Sequence, residues 1–441
     1  MNGERTKPMT RRDFVATSAA AGAAMAAAPA WAGMRPMRRS EELRVGLIGC
    51  GGRGTGAAMQ AMMADSDSVL WAVGDAFEPA IAPSLGHVTD AVASQDAASV
   101  ERKIQVDDSR RFVGFDAYKK VMASGVDVVI LTTPPVFRPA MLRAAIESGK
   151  HVFCEKPVAV DGPGIRSVLE SARLAREKNL SLMSGFCWRY QSQTRDAMKQ
   201  VHDGMIGDVK AVYSTYNTTG WIQPKPRRPE WSDTEWQLRN WHYFTPLSGD
   251  HIVEQAVHAI DWIAWAHQDV PPARCTAVGG RMTRPDIPET GNVYDNFSVT
   301  YEYEDGSRGF HMCRHWPNTA SDNSGYLMGT TGNMTFVPWT GNQHRIEGEH
   351  PWRCRTPPND MYQQEHDELF AAIRTGARID DGEMMAKSTL MAIMGRMAAY
   401  TGQVVTWEDA LNSDVNLNPR PFAWGERPVP ALAIPGQAEQ G

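Results

Sequence analysis

RVGLIGCGGRG, residues 44–54, joins a short apolar run to a cluster of glycines. An apolar run of this length closed by Gly reads as a buried strand, and Gly49-Cys50-Gly51-Gly52-Arg53-Gly54 fits G-x-G-x-x-G. The pattern alone is weak, and its context gives it force. The glycines follow a strand and open a helix, TGAAMQAMMAD (55–65), whose N-terminal backbone N–H groups would face an anion such as a pyrophosphate. The next apolar run, SVLWAVGD, ends at Asp75, 21 residues past Gly54. A carboxylate there accepts hydrogen bonds from an adenosine ribose and repels a 2′-phosphate, so the loop predicts a dinucleotide site that prefers NAD to NADP. Arg53, within reach of a phosphate, keeps NADP open. The competing reading is a tight strand-to-helix turn without a ligand.

Working outward, VDVVILTT (126–133), the helix RPAMLRAAIESG (138–149), the strand HVFCEKP (151–157), a helix over 162–178 and the strand LSLMSGF (180–186) continue the alternation. This order predicts parallel βαβ units in a doubly wound α/β domain over residues 40–188. No element is assigned to the polar stretch around 80–110. From about residue 205 the texture changes. DVKAVYSTYNT, ARCTAVGGRM, YDNFSVTYEYEDG and SRGFHMCRHW read as strands of a mainly antiparallel open sheet in a second α/β domain over 189–425. Helices near 361–375 and 383–401 are expected to pack on that sheet or back on the first domain, and the chain from about Pro428 reads as loose.

Three constellations carry chemistry. Glu155-Lys156-Pro157 closes a buried strand, where a lysine would face the nicotinamide end of the crevice and share a substrate hydroxyl's proton. In GDHIVEQAVHAID (249–261), His251, Glu254, His258 and Asp261 follow at spacings of three, four and three, which predicts one helical face. A histidine there can take a hydroxyl proton, with a carboxylate to orient it. A solvated polar face is the bland alternative. H-x-x-E-x-x-x-H is not H-E-x-x-H, and no metal site is expected. Finally, WIQPKPRRPEWSDTEWQLRNW (221–241) interleaves tryptophans with Arg239, Asn240 and Trp241. It suits either a sugar-stacking wall or a loop anchored by its own tryptophans.

The glycine loop, Asp75, TTPP at Thr132-Thr133-Pro134-Pro135, CEKP, the helix with His258 and Asp261, and GTTG at 329–332 together resemble the Gfo/Idh/MocA family of oxidoreductases. The resemblance implies a Rossmann domain that binds NAD through the glycine loop, Asp75, Thr132, Thr133, Pro134, Glu155 and Lys156. It also implies a substrate domain whose open sheet makes a homodimer or tetramer. Lys156, Glu254 and His258 would carry proton transfer, with Arg239, Asn240, Trp241, His251 and Asp261 as substrate contacts. Three departures stand out: Glu254 replaces the usual Asp, Asp250-His251 replaces small glycines and is expected to narrow the pocket, and Arg138 stands near a common histidine position.

At the other end of the chain, Thr10-Arg11-Arg12-Asp13-Phe14 precedes an alanine-rich apolar run and the small-x-small site Ala30-Trp31-Ala32. Residues 1–32 therefore read as a twin-arginine (Tat) leader, with the Tat translocase as export partner and a periplasmic destination. Export of a folded protein away from the nicotinamide pools requires a tightly bound cofactor, restored by a second substrate, an external acceptor or a redox-neutral cycle. The expected activity is hydride transfer to or from a secondary hydroxyl of a sugar or glycoside. The alternative is an NAD-dependent glycoside hydrolase that oxidises transiently and eliminates, although the resemblance implies an altered EKP motif in such relatives. A non-catalytic sugar-binding protein is the least favoured reading. A net charge of −6 without a basic run argues against nucleic acid. The six cysteines form no CxxC pair and read as small buried residues.

Overall fold

The computed structural model describes residues 41–220, 222–418 and 421–437. The leader expected at residues 1–32, and Trp221, lie outside the described residues. Two sheets organise the described chain. The first contains β1 (Leu43–Ile48), β2 (Ser68–Asp75), β3 (Arg111–Val113), β4 (Val128–Leu131), β5 (His151–Cys154) and β6 (Leu182–Ser184). All its pairs are parallel, in the order β3-β2-β1-β4-β5-β6. Every residue of β4 and β5 is buried, as expected for parallel strands covered on both faces. The order reverses between β1 and β4, so the carboxyl ends of β1, β2, β4 and β5 open onto one crevice.

The polar stretch around 80–110 holds a 19-residue helix, Glu78–Asp96, where no element was expected. Its buried Ile81, Leu85, Val88 and Val92 do recur at helical spacing, but alanine, serine and glycine between them dilute the apolar signal.

The second sheet comprises β7 (Val209–Thr218), β8 (Arg274–Gly280), β9 (Asn296–Glu302), β10 (Arg308–His315), β11 (Gly325–Gly329), β12 (Gly332–Phe336), β13 (Arg345–Gly348), β14 (Trp352–Arg353) and β15 (Val405–Thr406). Its order is β14-β13-β12-β11-β7-β10-β9-β8-β15, antiparallel except for the pair β7–β10. A long excursion between β7 and β8 prevents a hairpin there, and β10 takes the place beside β7 in parallel register.

The C-terminal helices tie the two sheets together. Helix Met361–Thr375 is capped by Asp360, stopped by left-handed Gly376, and packs on helix Gly52–Ala64, with Arg374 Nη2 donating to Asp65 Oδ1 at 2.7 Å. Helix Gly382–Thr401 is buried along most of its length between helix Gly162–Glu177 and β8. Residues 429–437 are docked and not loose. Tyr294 Oη donates to Ala433 O at 2.8 Å, Gly436 N donates to Thr401 O at 3.0 Å, and Leu432 packs on the core. No local periodicity announces that docking, because its partners lie far away in the chain. All six cysteines are free and buried.

Candidate dinucleotide cleft and proton-transfer site

Because β1 ends at the sheet's switch point, the chain must turn at once into helix Gly52–Ala64. Gly49 makes the turn at φ +99°, where a Cβ would lie 2.9 Å from the Thr132 and Thr133 backbone. A Cβ on Gly54 would meet Gly49 O at 1.9 Å. Nothing lies within 4 Å of the Cβ positions of Gly51 and Gly52, so that side of the loop is open to an incoming group. Thr132 Oγ1 donates to Gly49 O at 2.8 Å and holds the loop to the end of β4. Gly49, Gly51, Asp75, Thr132, Thr133 and Pro134 line one cleft of about 400 Å³. The size, the open glycines and the helix N-terminus fit a dinucleotide.

Asp75 sits at the end of β2, where its carboxylate accepts from Cys50 N at 2.7 Å and Phe77 N at 2.8 Å. Burial raises its pKa, opposed by these N–H groups and by Arg239. Arg53 and Glu155 are placed differently from the expectation. Arg53 Nε donates to Glu155 Oε1 and Arg53 Nη1 to Gln60 Oε1 at 2.8 Å, so the two side chains satisfy each other and do not line the cleft. An apolar strand end leaves a buried Glu155 in need of a cation, and Arg53 is that cation.

Lys156 Nζ donates to Glu254 O at 2.6 Å and lies 3.8 Å from Glu254 Oε1, both side chains about one-seventh exposed. Arg138, buried, donates to Pro157 O and pins the turn that carries Lys156. His258 stacks on Trp188 with ring centroids 5.2 Å apart. Its Nδ1 has no hydrogen-bond partner among the described residues. Burial, then Lys156 and Arg53, push its pKa well below the usual value, so the ring is neutral at pH 7.

The single helical face predicted for residues 251–261 does not form. His251–Glu254 and Val257–Ala266 are separate helices, and Gln255 at the break engages His315 Nε2 through Oε1 at 2.6 Å. His251 consequently turns to the second sheet and packs on the His315 ring at 3.7 Å. Asp250 is fully buried, accepting from Tyr294 N at 2.8 Å and from Tyr400 Oη, and does not narrow the cleft.

The tentative substrate contacts divide. Asp261 receives Arg189 through both of its oxygens and Ser388 Oγ at 2.6 Å, so it is committed to the core. Asn240 is buried, bonding Lys225 N at 2.7 Å and Lys225 O at 3.0 Å, and shapes its own loop. Arg239 and Trp241 do line the cleft, with Arg239 on the Asp75 side, 4.2 Å over Phe77. Trp236 is buried against Phe244, an anchor in the sense of the alternative reading. His242 went unread in the sequence. It stacks on Trp241 at 3.7 Å, and burial lowers its pKa, with Glu254 and Lys156 within electrostatic reach. One histidine in an aromatic loop gives no periodic or motif signal that could have singled it out.

Asp261→Ala leaves the buried Arg189 guanidinium without its main partner, and the expected loss is about 3–5 kcal/mol of stability. A lowered thermal midpoint in calorimetry checks this, whereas an unchanged midpoint would show that Asp269 alone compensates Arg189.

With this geometry in view, comparison with known proteins is specific. Residues 43–186 match the oxidoreductase family with the NAD-binding Rossmann fold, and residues 194–335 match the GFO/IDH/MocA C-terminal domain. The chain is similar to inositol 2-dehydrogenase 4 of Saccharopolyspora erythraea, 33% identical over 38% of this chain and 43% of the relative. It is also similar to 2,7-anhydro-N-acetylneuraminate hydratase of Escherichia coli, 26% identical over 41% of this chain and 44% of the relative. It thus spans less than half the length of these curated relatives. A crystal structure of aldose–aldose oxidoreductase from Caulobacter crescentus superposes with TM-score 0.62 at 19% identity, over 83% of this chain and all of that one, which shows a common fold. With its first sheet and the second sheet from β7 to β12 matched, the chain belongs to the Gfo/Idh/MocA family of oxidoreductases.

Proposed function

We propose that the protein transfers hydride between tightly bound NAD(H) and a secondary hydroxyl of a sugar or glycoside. The observation that carries this is Lys156 at the carboxyl end of β5, held against Glu254 within electrostatic reach of a neutral His258 whose Nδ1 has no partner among the described residues. When bound, the nicotinamide supplies the hydride acceptor. Lys156 orients the substrate hydroxyl by donating to its oxygen, His258 takes the hydroxyl proton as the carbonyl forms, and Glu254 positions Lys156. Asp75 in the cleft supports NAD over NADP.

The similarity to dehydrogenases of polyols and to an aldose–aldose oxidoreductase supports the substrate class and a cofactor restored in place by a second sugar. A redox-neutral cycle is the second reading, favoured by the similarity to a protein named a hydratase. Export through the twin-arginine route belongs to the proposal and rests on residues 10–32. So does a homo-oligomer, supported by Val278, Met312, Tyr326 and Met328, exposed together on one face of the nine-stranded sheet.

The test is to dialyse the purified protein extensively, denature it and assay the supernatant for NAD(H) and NADP(H). Near-stoichiometric NAD(H) is expected, and an empty protein would overturn tight binding. Turnover of sugar pairs without added cofactor would separate the self-restoring oxidoreductase from a redox-neutral enzyme that releases an eliminated group.

A further inference from the structure

The cleft has a wall that belongs to neither sheet. Phe77 and Phe115 line it beside Asp75, and Phe137, from the turn after β4, continues the surface 6.2 Å from Phe115. The C-terminal segment lays two rings against them: Trp424 lies 4.5 Å from Phe115 and 5.6 Å from Phe77, and Phe422 lies 4.4 Å from Phe137 and 5.9 Å from Phe115. The segment is fastened to helix Asp233–Arg239. Thr234 N donates to Gly425 O at 3.1 Å, Gln237 Nε2 donates to Arg427 O at 2.6 Å, and Arg427 N donates to Asp233 Oδ2 at 3.2 Å. The Arg427 guanidinium lies 4.5 Å over Phe422, and the same helix sends Arg239 over Phe77. The family matches end at residue 335, so this segment lies outside them.

We infer that residues 421–427 and helix Asp233–Arg239 form a strap that completes the adenosine subsite and keeps the dinucleotide from leaving between turnovers. The inference rests on the dinucleotide reading above. Asp75 marks the ribose end, and the three phenylalanines of this wall present an apolar, aromatic surface suited to adenine. That surface holds its shape because Phe422 and Trp424 back it from outside. Trp424 is 46% exposed, whereas Trp236, Gln237 and Leu238 of the helix are buried, so the outer segment 421–427 can lift while the helix stays in the core. Lifting it removes the rings that back the phenylalanines, which opens the subsite. Retention of the cofactor thus depends on residues far in sequence from the glycine loop.

The test loads the full-length protein with NAD radiolabelled in the nicotinamide ring, chases it with unlabelled NAD, and follows the first-order loss of label. Phe422→Ala/Trp424→Ala is expected to release label about tenfold faster or more, equivalent to about 1.4 kcal/mol. Wild-type release kinetics in the double variant would overturn the strap. If the double variant does not fold, Trp424→Ala and Gln237→Ala are measured singly, with faster release supporting the strap and unchanged release overturning it. A wild type that neither carries NAD(H) as purified nor takes up labelled NAD would instead overturn the dinucleotide reading itself.

Discussion

Lys156→Ala is expected to lower the rate of hydride transfer by about 10²–10⁴-fold while leaving bound NAD in place. The separation of effects follows from geometry. Lys156 meets Glu254 at the carboxyl end of β5 and does not line the dinucleotide cleft, whereas Gly49, Gly51, Asp75 and Thr132 do. Removing the amine takes away the donor to the substrate hydroxyl. It also leaves Glu254 O without that donor, while Arg138 still pins the turn at Pro157. Single-turnover rates beside the cofactor content of the denatured variant check both halves. Unchanged turnover would remove Lys156 from the mechanism, and loss of cofactor would place it in dinucleotide binding.

Acid is expected to destabilise the protein as pH falls below 6.5, offset in part by the buried carboxyls of Asp250, Asp261, Glu365 and Asp381, whose raised pKa values let the native state bind protons too. His151, His251, His258, His311, His315, His344 and His366 are all buried. Burial drives their pKa values down, to about 4 for His151 and His344, about 3 for His311 and His315, and well below the usual value for the other three. In the unfolded chain each titrates near 6.5. Below that pH the unfolded state binds more protons than the native state, so stability is complete above 6.5 and is lost as pH falls toward the native values. Each histidine costs about 1.4 kcal/mol by pH 5.5, and the seven together cost roughly 10 kcal/mol before the carboxyls' offset. That is comparable with the whole stability of a typical protein, about 5–15 kcal/mol. Circular dichroism against pH reads the transition directly. His366→Phe, which keeps a ring stacked on Phe153, should move the midpoint to lower pH. An intact fold at pH 4.5 would mean that these rings are not held neutral in the native state, or that the carboxyls' offset cancels their cost.

The glycine loop shows why part of the site was legible. Gly49, Gly51, Gly54, Asp75 and Lys156 are each dictated by their place at the end of one strand, and strand ends can be read from local apolar runs. A parallel sheet with a switch point then brings those ends together without further information. The residues whose placement differed from expectation are those whose partners are distant in sequence. Arg53 turns to Glu155, Asp261 to Arg189 and Ser388, and His251 to His315, because a buried charge or ring takes the partner that the packed fold presents.

What the sequence by itself determined is the Rossmann domain, the mainly antiparallel second sheet, and the lysine and glycines at strand ends. All of these follow from the chain's own periodicity. Only the tertiary structure decided that the helix breaks at Gln255, that Arg239 lies on the Asp75 side of the cleft, and that residues 421–427 pack behind the cleft's phenylalanines. The physical reason is common to all three. Each is set by a contact that exists only after two lobes have packed, and no local spacing of apolar and polar residues encodes such a contact.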